Sequence, residues 1–443
     1  MKLKNKIMKH KYLNGLFILL ILLIKLIPVH SQTNNFNDSV SSVKSITTVS
    51  DFAGGADISW LTQMEAAGKK FYSTAGVQTE CISLLKSYDI NSIRLRVWVN
   101  PSNGWCNASD LLVKAKRASD LGMRIMIDFH YSDSWADPGK QNMPAAWTSY
   151  NLTDLKSAVA THTTEVLTLL KDNGITPEWV QVGNETNDGM LWETGRASSS
   201  MANYAALTTS GYNAVKSVFP DAKVIVHISN GWNNSLFRWI FDGLKNNGGK
   251  WDVIGMSVYP SWYTTANDWI NCNIACYQNM IDMVSRYGKE VMIVECGMSW
   301  DSATECKNFL TDLITKTKSV TSGKGTGVFY WEPECYGQWQ GYSLGAFNNN
   351  GQPTVAMDAF KTSTIHNNVY KESINYNWIS AEKTLKFNKT ISRLNIFTLD
   401  GRLIYNEQTS DTFHIDKIKT GIYIMSFNDD QSLTNQTFKL HIN

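Results

Sequence analysis

Between residues 52 and 332 the chain alternates two hydrophobic patterns. Short runs rich in β-branched and aromatic residues occupy 52–58 (FAGGADI), 92–98 (SIRLRVW), 124–131 (RIMIDFHY) and 179–184 (WVQVGN). Others follow at 223–229 (KVIVHIS), 253–260 (VIGMSVYP), 291–296 (VMIVEC) and 327–332 (GVFYWE). Each has the length and composition of a strand. Between them lie segments with a helical apolar period, at 109–122, 154–174, 235–249, 305–318 and 353–363. In the first, Leu111, Leu112, Ala115, Ala118 and Leu121 form one stripe, with Ser109 as the expected N-cap and Gly122 as the stop. Apolar strands alternating with helices predict a parallel sheet covered on both faces. Eight of them over roughly 310 residues predict an α/β fold closed into a (β/α)8 TIM barrel.

After about residue 370 the period changes to two. "KTLKFN", "ISRLNIFTLDGRLIYNEQ", "DTFHIDKIKTGIYIMSFNDD" and "NQTFKLHIN" alternate apolar and polar positions, with Asp400-Gly401 as a hairpin turn. This predicts a small C-terminal antiparallel β-sandwich. At the other end, Lys2, Lys4, Lys6, Lys9 and Lys11 precede the apolar run Leu16 to Ile24, and Val29-His30-Ser31 offers a cleavage pattern. Lys25 interrupts that run, so a cleaved signal is expected and no membrane span after cleavage. The expected division is a signal peptide at 1–31, a Ser/Thr/Asn-rich lead-in at 32–50, the barrel at 51–363 and the sandwich at 364–443.

Composition sharpens this picture. A net charge of +2 gives no electrostatic case for nucleic-acid binding. The 16 Trp and 18 Tyr suit stacking on the CH-rich faces of sugars. With 7 Cys at least one lacks an intramolecular partner; Cys272 and Cys276 are spaced to close a small loop or to share one helical turn, and no paired C-x-x-C zinc pattern occurs.

Barrel chemistry sits at the carboxyl ends of the strands. There the sequence places Asp57, Arg94, Arg96, Asp128, His130, Asn184, Glu185, His227, Tyr259, Glu295, Trp331 and Glu332. A packed interior would use Val, Ile and Leu, so a full ring of polar tips points to a site. Glu185, after strand four, and Glu295, after strand seven, are the carboxylates that stand out. Two carboxyls in a partly dry rim separate into a proton donor and an ionised attacker, the equipment for glycosidic cleavage. Glu185 is expected to have a raised pKa and Glu295 a lowered one, held down by an arginine. Of Arg94 and Arg96, Arg94 is taken as that partner, on the view that both enter the interior only if the strand bends.

These residues also carry a resemblance. Asn184-Glu185 and Glu295 look like the pair of the clan A retaining glycoside hydrolases. "GADISWLTQMEAAGKKF", "RLRVWVNP", "DFHYSDSWADPGKQNMPAAW", "VGNETNDGMLW" and "GMSVYPSW" resemble family 53, the endo-β-1,4-galactanases, over about residues 50–362. The resemblance implies a secreted endo-acting enzyme on β-1,4-galactan of pectin side chains, with Glu185 as acid/base and Glu295 as nucleophile. It implies a bond from Asn184 to the sugar 2-hydroxyl, a Tyr259 that donates to the nucleophile at the substrate-binding end, and a subsite floor from Trp331. Asp57, Arg94, His130, His227 and Glu332 are assigned to sugar binding or to orienting the glutamates; Trp135, Trp192 and Trp262 are assigned to stacking. No cofactor is required. Some relatives hold structural calcium on longer loops after the nucleophile; Asp301 alone is a poor remnant of such a site, since calcium takes 6–8 oxygens. The chain is read as a monomer.

The tail resembles the C-terminal sorting domains of Bacteroidetes secreted proteins, without their usual proline-rich opening; this implies secretion or display on a Gram-negative cell surface. The competing reading of the tail is a sugar-binding module. For the barrel, the alternatives are another clan A endo-glycanase (mannanase, glucanase or xylanase), a metal-dependent hydrolase using Asp128, His130 and Asp133, and a non-catalytic glycan-binding barrel.

Overall fold

The computed structural model describes residues 52–264, 268–361, 376–379, 382–399, 402–428 and 436–442. The expected signal peptide, the lead-in and the Asp400-Gly401 turn lie outside the described residues. Eight parallel strands close into a barrel in sequence order: β1 (Ala53–Asp57), β2 (Ser92–Val97), β3 (Arg124–Phe129), β4 (Trp179–Val182), β5 (Lys223–Ile228), β6 (Val253–Val258), β7 (Glu290–Cys296) and β8 (Gly325–Trp331). β1 pairs with both β2 and β8, so no edge is left.

The helices that wrap the barrel are α1 (Leu61–Ala66), α2 (Cys81–Lys86), α3 (Ala108–Asp120), α4 (Leu152–Asp172), α5 (Met201–Val218), α6 (Asn234–Asn246), α7 (Pro260–Tyr263), α8 (Trp269–Tyr287) and α9 (Ala303–Lys318). Two expectations shift. The N-cap of α3 is Asn107, whose side chain accepts from the Asp110 N–H, because Ser109 already lies inside the first turn. The segment at 353–363 forms only a short 3-10 turn, Val355–Ala359. No described helix is long and apolar enough to cross a membrane.

The barrel interior is layered. At the amino-terminal end Ala53, Met126, Trp179, Ile225, Val253, Met292, Val294 and Phe329 form a dry apolar plug. Side chains two positions further along a strand share its face. One step up, the interior therefore receives Asp128, Gln181 and His227, with Asp57 and Arg94 alongside in register. The carboxyl end of the barrel is polar because the sequence changes there, above a plug that keeps water from entering below.

In the C-terminal region five antiparallel strands make a separate sheet: β9 (Tyr376–Ile379), β10 (Thr384–Phe397), β11 (Leu403–His414), β12 (Gly421–Asn428) and β13 (Gln436–Ile442). The long β10 ties it together. Its first residues pair with β9 and its last with β12, with β11 along the other edge. Leu385, Phe387, Leu394, Ile396, Phe413, Met425 and Phe427 give this sheet a core of its own. All seven cysteines are buried free thiols. Cys272 and Cys276 close no loop, since both lie one turn apart on α8 and face the core.

Candidate active site

Arg94 organises the polar layer. From β2 its guanidinium donates to Asp57 at 2.6 Å, to Asp128 at 2.9 Å and to Asn184 Oδ1 at 3.0 Å, and it forms an ion pair with Glu295 Oε1 at 2.8 Å. It is fully buried, and these anions hold it charged against burial. Burial works to raise Asp128, but Arg94 and His130 prevail and its carboxyl sits at about 2. Arg96 enters the interior as well, with no bend in the strand, because residues two apart share a face. It takes a different partner, Glu332, at 3.3 Å.

Glu295 reaches this layer through a break in register. β6 and β7 pair Met256 with Ile293 but Ser257 with Glu295, so Val294 is an extra residue. Val294 belongs to the interior plug, and without the bulge Glu295 would point outward. Beyond it Cys296 turns to the outer core and donates its thiol hydrogen to the Phe329 carbonyl. Tyr259 donates its hydroxyl to Glu295 Oε2 at 3.2 Å.

Glu185 follows β4 on a turn in which Gly183 and Glu185 itself both have positive φ, 86° and 44°. A non-glycine residue held there is strained, a frequent mark of a functional position. Its carboxylate meets the Ser257 hydroxyl at 2.7 Å, and that oxygen lies 2.7 Å from His227 Nε2. Burial pushes Glu185 up to about 7, against the bond from Ser257 and the charge of Arg94. The expected lowering of Glu295 does not hold. Burial raises it well above the ordinary carboxylate range, and Arg94, whose single charge is shared with Asp57 and Asp128, offsets only part of this, while Glu185 adds to it.

Above these groups lies a cleft of about 380 Å³ lined by His130, Trp135, Asn184, Glu185, Tyr259, Trp262, Glu295 and Trp331, among others. A second cleft of about 430 Å³ shares Trp135, Trp331 and Tyr342 with it and continues past Trp60, Gln63, Trp98 and Asn103. The two make a groove walled by aromatic rings, with Trp262 still 56% exposed.

Five expected binding residues do not line this groove. Asp57, Arg94 and His227 are fully buried beneath it, where their polar atoms are used on one another, on Ser59, Gln181, Asn184 and the two glutamates. Glu332 is buried behind the aromatic wall and accepts from the Trp60 N–H. Trp192 donates its ring N–H to the Asp188 carbonyl, and the Arg196 guanidinium sits 3.7 Å from its ring centre, so the loop occupies that face. Conversely, Ser257, Gln181 and Tyr342 belong to the site and were not singled out from sequence. Ser257 lies on β6 two residues before Tyr259, a position that strand alternation could have flagged.

Asp128, His130 and Asp133 do not converge on one point. Asp133 accepts from the backbone N–H groups of Asn100 and Ala145, while Asp128 pairs with Arg94. Asp301 is exposed and bonds the hydroxyls of Ser299 and Ser302.

A closed parallel barrel with two buried carboxyls, one just after β4 and one at the carboxyl end of β7, opening into an aromatic groove, defines a glycosidase of the barrel class. The chain belongs to glycosyl hydrolase family 53, whose model matches residues 53–360. Residues 377–443 match the secretion system C-terminal sorting domain. A Niallia circulans protein described only as uncharacterized is 34% identical over 69% of this chain and 89% of its own length. The arabinogalactan endo-beta-1,4-galactanase of Thermothelomyces thermophilus is 32% identical over 63% of this chain and 88% of its own. Among solved structures, one of two fungal beta-1,4-galactanases is 30% identical with a TM-score of 0.65, covering 70% of this chain and 98% of that one. The family 53 catalytic domain of Ignisphaera aggregans is 29% identical, TM-score 0.64, covering 70% and 95%.

Proposed function

We propose that the chain is an endo-β-1,4-galactanase that cleaves galactan by double displacement, with Glu295 as nucleophile and Glu185 as acid/base. The observation that carries the assignment is the asymmetry of the pair. Glu295 has a guanidinium at 2.8 Å and a phenol donor, whereas Glu185 has a hydroxyl alone. Burial and mutual repulsion raise both carboxyls, so the pair retains one shared proton; the Arg94 guanidinium in contact with Glu295 places the negative charge there and the proton on Glu185. That is the state needed for the first step: Glu295 attacks the anomeric carbon while Glu185 protonates the leaving oxygen. In the second step Glu185, now ionised, takes a proton from water.

The network beneath responds to the protonation state of Glu185 through Ser257 and His227. Burial and the charge of Arg94 keep His227 neutral. With Glu185 ionised, Ser257 donates to it and His227 Nε2–H donates to Ser257. With Glu185 protonated, its O–H donates to Ser257, which donates to Nε2 of the other tautomer. In the first state Nδ1 accepts from the Glu185 N–H; in the second Nδ1–H donates to Asn184 Oδ1 and the Glu185 N–H loses that acceptor.

The groove supports endo action, since it runs past the carboxyl pair on an aromatic wall. All site residues come from one chain, so a monomer suffices, and the reaction uses no cofactor. The sorting domain marks the enzyme for secretion to the cell surface. The test is product analysis of purified protein on β-1,4-galactan, mannan, xylan and glucan. Internal cleavage of galactan with retained β-configuration is expected, and faster turnover of another glycan, or inversion, would overturn the reading.

A further inference from the structure

Two buried carboxylic residues take no part in the mechanism above. Glu332 and Glu334 leave the end of β8 and are both fully buried. Glu332 is accounted for: it accepts from the Trp60 N–H and pairs with Arg96. Glu334 is not. Among the described residues, neither of its oxygens has a hydrogen-bond donor outside Glu334 itself as partner. One carboxylate oxygen of Glu334, one of Glu332 and the Cys335 sulfur lie within 4.8 Å of one another.

The charges do not balance if both acids ionise. Around Glu334 stand Glu332 and Cys335 from its own loop, Asp57 from β1, Arg96 from β2 and Cys81 from α2. Arg94 already serves Asp57. Among the described residues Arg96 is then the one cation for Glu332 and Glu334, and a second buried anion would be uncompensated. Burial first, then the Glu332 charge, raises Glu334 well above the usual carboxylate range. A proton on Glu334 resolves both problems, because the acid O–H has an acceptor in Glu332.

Arg96 links this pair to the groove. Its guanidinium carbon lies 4.2 Å from the ring centre of Trp135, 5.0 Å from Trp98 and 5.6 Å from Trp60. These three rings line the groove beyond the carboxyl pair. A buried guanidinium among three indoles fixes their relative placement through cation–π attraction, provided it keeps its charge partner.

We propose that Glu334 is held as the neutral acid and donates to Glu332, and that Glu332 so fixed anchors Arg96 under the Trp60–Trp98–Trp135 wall, making Glu334, Glu332 and Arg96 positioning residues for grip on the polysaccharide. The inference rests on the groove being the galactan site, but the protonation of Glu334 stands apart from substrate identity.

The experiment has two arms. Infrared difference spectra of wild type against Glu334→Gln at neutral pH should show one carboxylic-acid carbonyl band lost in the variant; wild type with no such band, or a band unchanged by the substitution, would overturn the proposal. In the kinetic arm, Glu334→Gln keeps an N–H donor for Glu332, whereas Glu334→Leu has none. KM for long galactan should rise by about tenfold in Glu334→Leu and in Glu332→Gln, and stay within about twofold in Glu334→Gln, with kcat on a short chromogenic galactoside little changed in all three. Equal behaviour of the Gln and Leu variants, or a loss of kcat that is the same on short and long substrates, would refute a positioning role. A stoichiometric divalent metal in purified wild type, absent from Glu334→Gln, would replace the proton and also overturn it. If no galactan is cleaved by wild type while the band is present, the substrate reading fails and the acid pair stands.

Discussion

The hydroxyl oxygen of Ser257 lies 2.7 Å from Oε1 of Glu185, and among the described residues it is the one side chain hydrogen-bonded to that carboxyl. The bond favours the ionised form and so holds the Glu185 pKa below where burial alone would place it. Ser257→Ala should therefore raise it further. The alkaline limb of kcat/KM, expected from loss of an acid proton whose pKa burial raises to about 7, should move to higher pH. A limb that moves down or stays in place would show that Ser257 does not tune the acid.

Removing either carboxyl should have a distinct chemical signature. Glu185→Gln should lose about 10²–10⁴-fold on galactan. Its loss should be smaller on an aryl galactoside whose leaving group needs no proton. Glu295→Gln should lose at least as much on both. Azide should restore turnover of the aryl substrate in Glu185→Ala with a β-galactosyl azide product. Formation of the same β-azide by Glu295→Ala would reverse the assignment.

Trp262 is the most exposed ring of the catalytic cleft. Alanine there should weaken productive binding by about 1–3 kcal/mol, by analogy with aromatic stacking on other flat ligands. The effect should be larger on long galactan than on a short substrate. Trp192→Ala should lack this dependence on chain length, because Arg196 covers its ring. Equal kinetics for the two variants on both substrates would contradict the groove.

His162 on α4 packs edge-on to Phe129, Tyr131 and Trp147, and its Nε2 has no partner. Burial pushes its pKa down to about 4. The unfolded chain then binds the proton first, so this residue withdraws stability as pH falls from about 6.5 towards about 4, in total on the order of 3 kcal/mol. His162→Phe keeps the ring and removes the titration. Its melting temperature should fall less than that of wild type over this interval; parallel curves would mean that His162 does not titrate there.

Deleting residues from 368 onward should leave galactan hydrolysis by the purified enzyme nearly intact. The groove is lined by barrel residues alone, and the C-terminal sheet has its own core. In the native host the truncated protein should fail to reach the surface. Loss of activity in the purified truncation would make the sheet part of the catalytic fold.

The period of apolar residues determined the fold. Eight runs of period-two or continuous apolar residues, spaced by helical stripes, have one economical solution in a closed parallel barrel, and the chain order alone brings Asn184-Glu185 and Glu295 to one rim. The change of period after residue 370 likewise announced a separate β-structure. The roles around the rim were less legible. Alternation tells which face a residue takes only while the register is unbroken. The bulge at Val294 that turns Glu295 inward is a property of the β6–β7 pairing, not of β7 alone. Depth was not legible at all: whether Asp57, His227 and Glu332 meet sugar or meet Arg94, Ser257 and Arg96 depends on how far each strand rises in the closed barrel. Charge followed depth. One arginine near Glu295 suggested a lowered pKa, but the tertiary structure divides that arginine among three carboxylates and buries them all, so desolvation decides the sign.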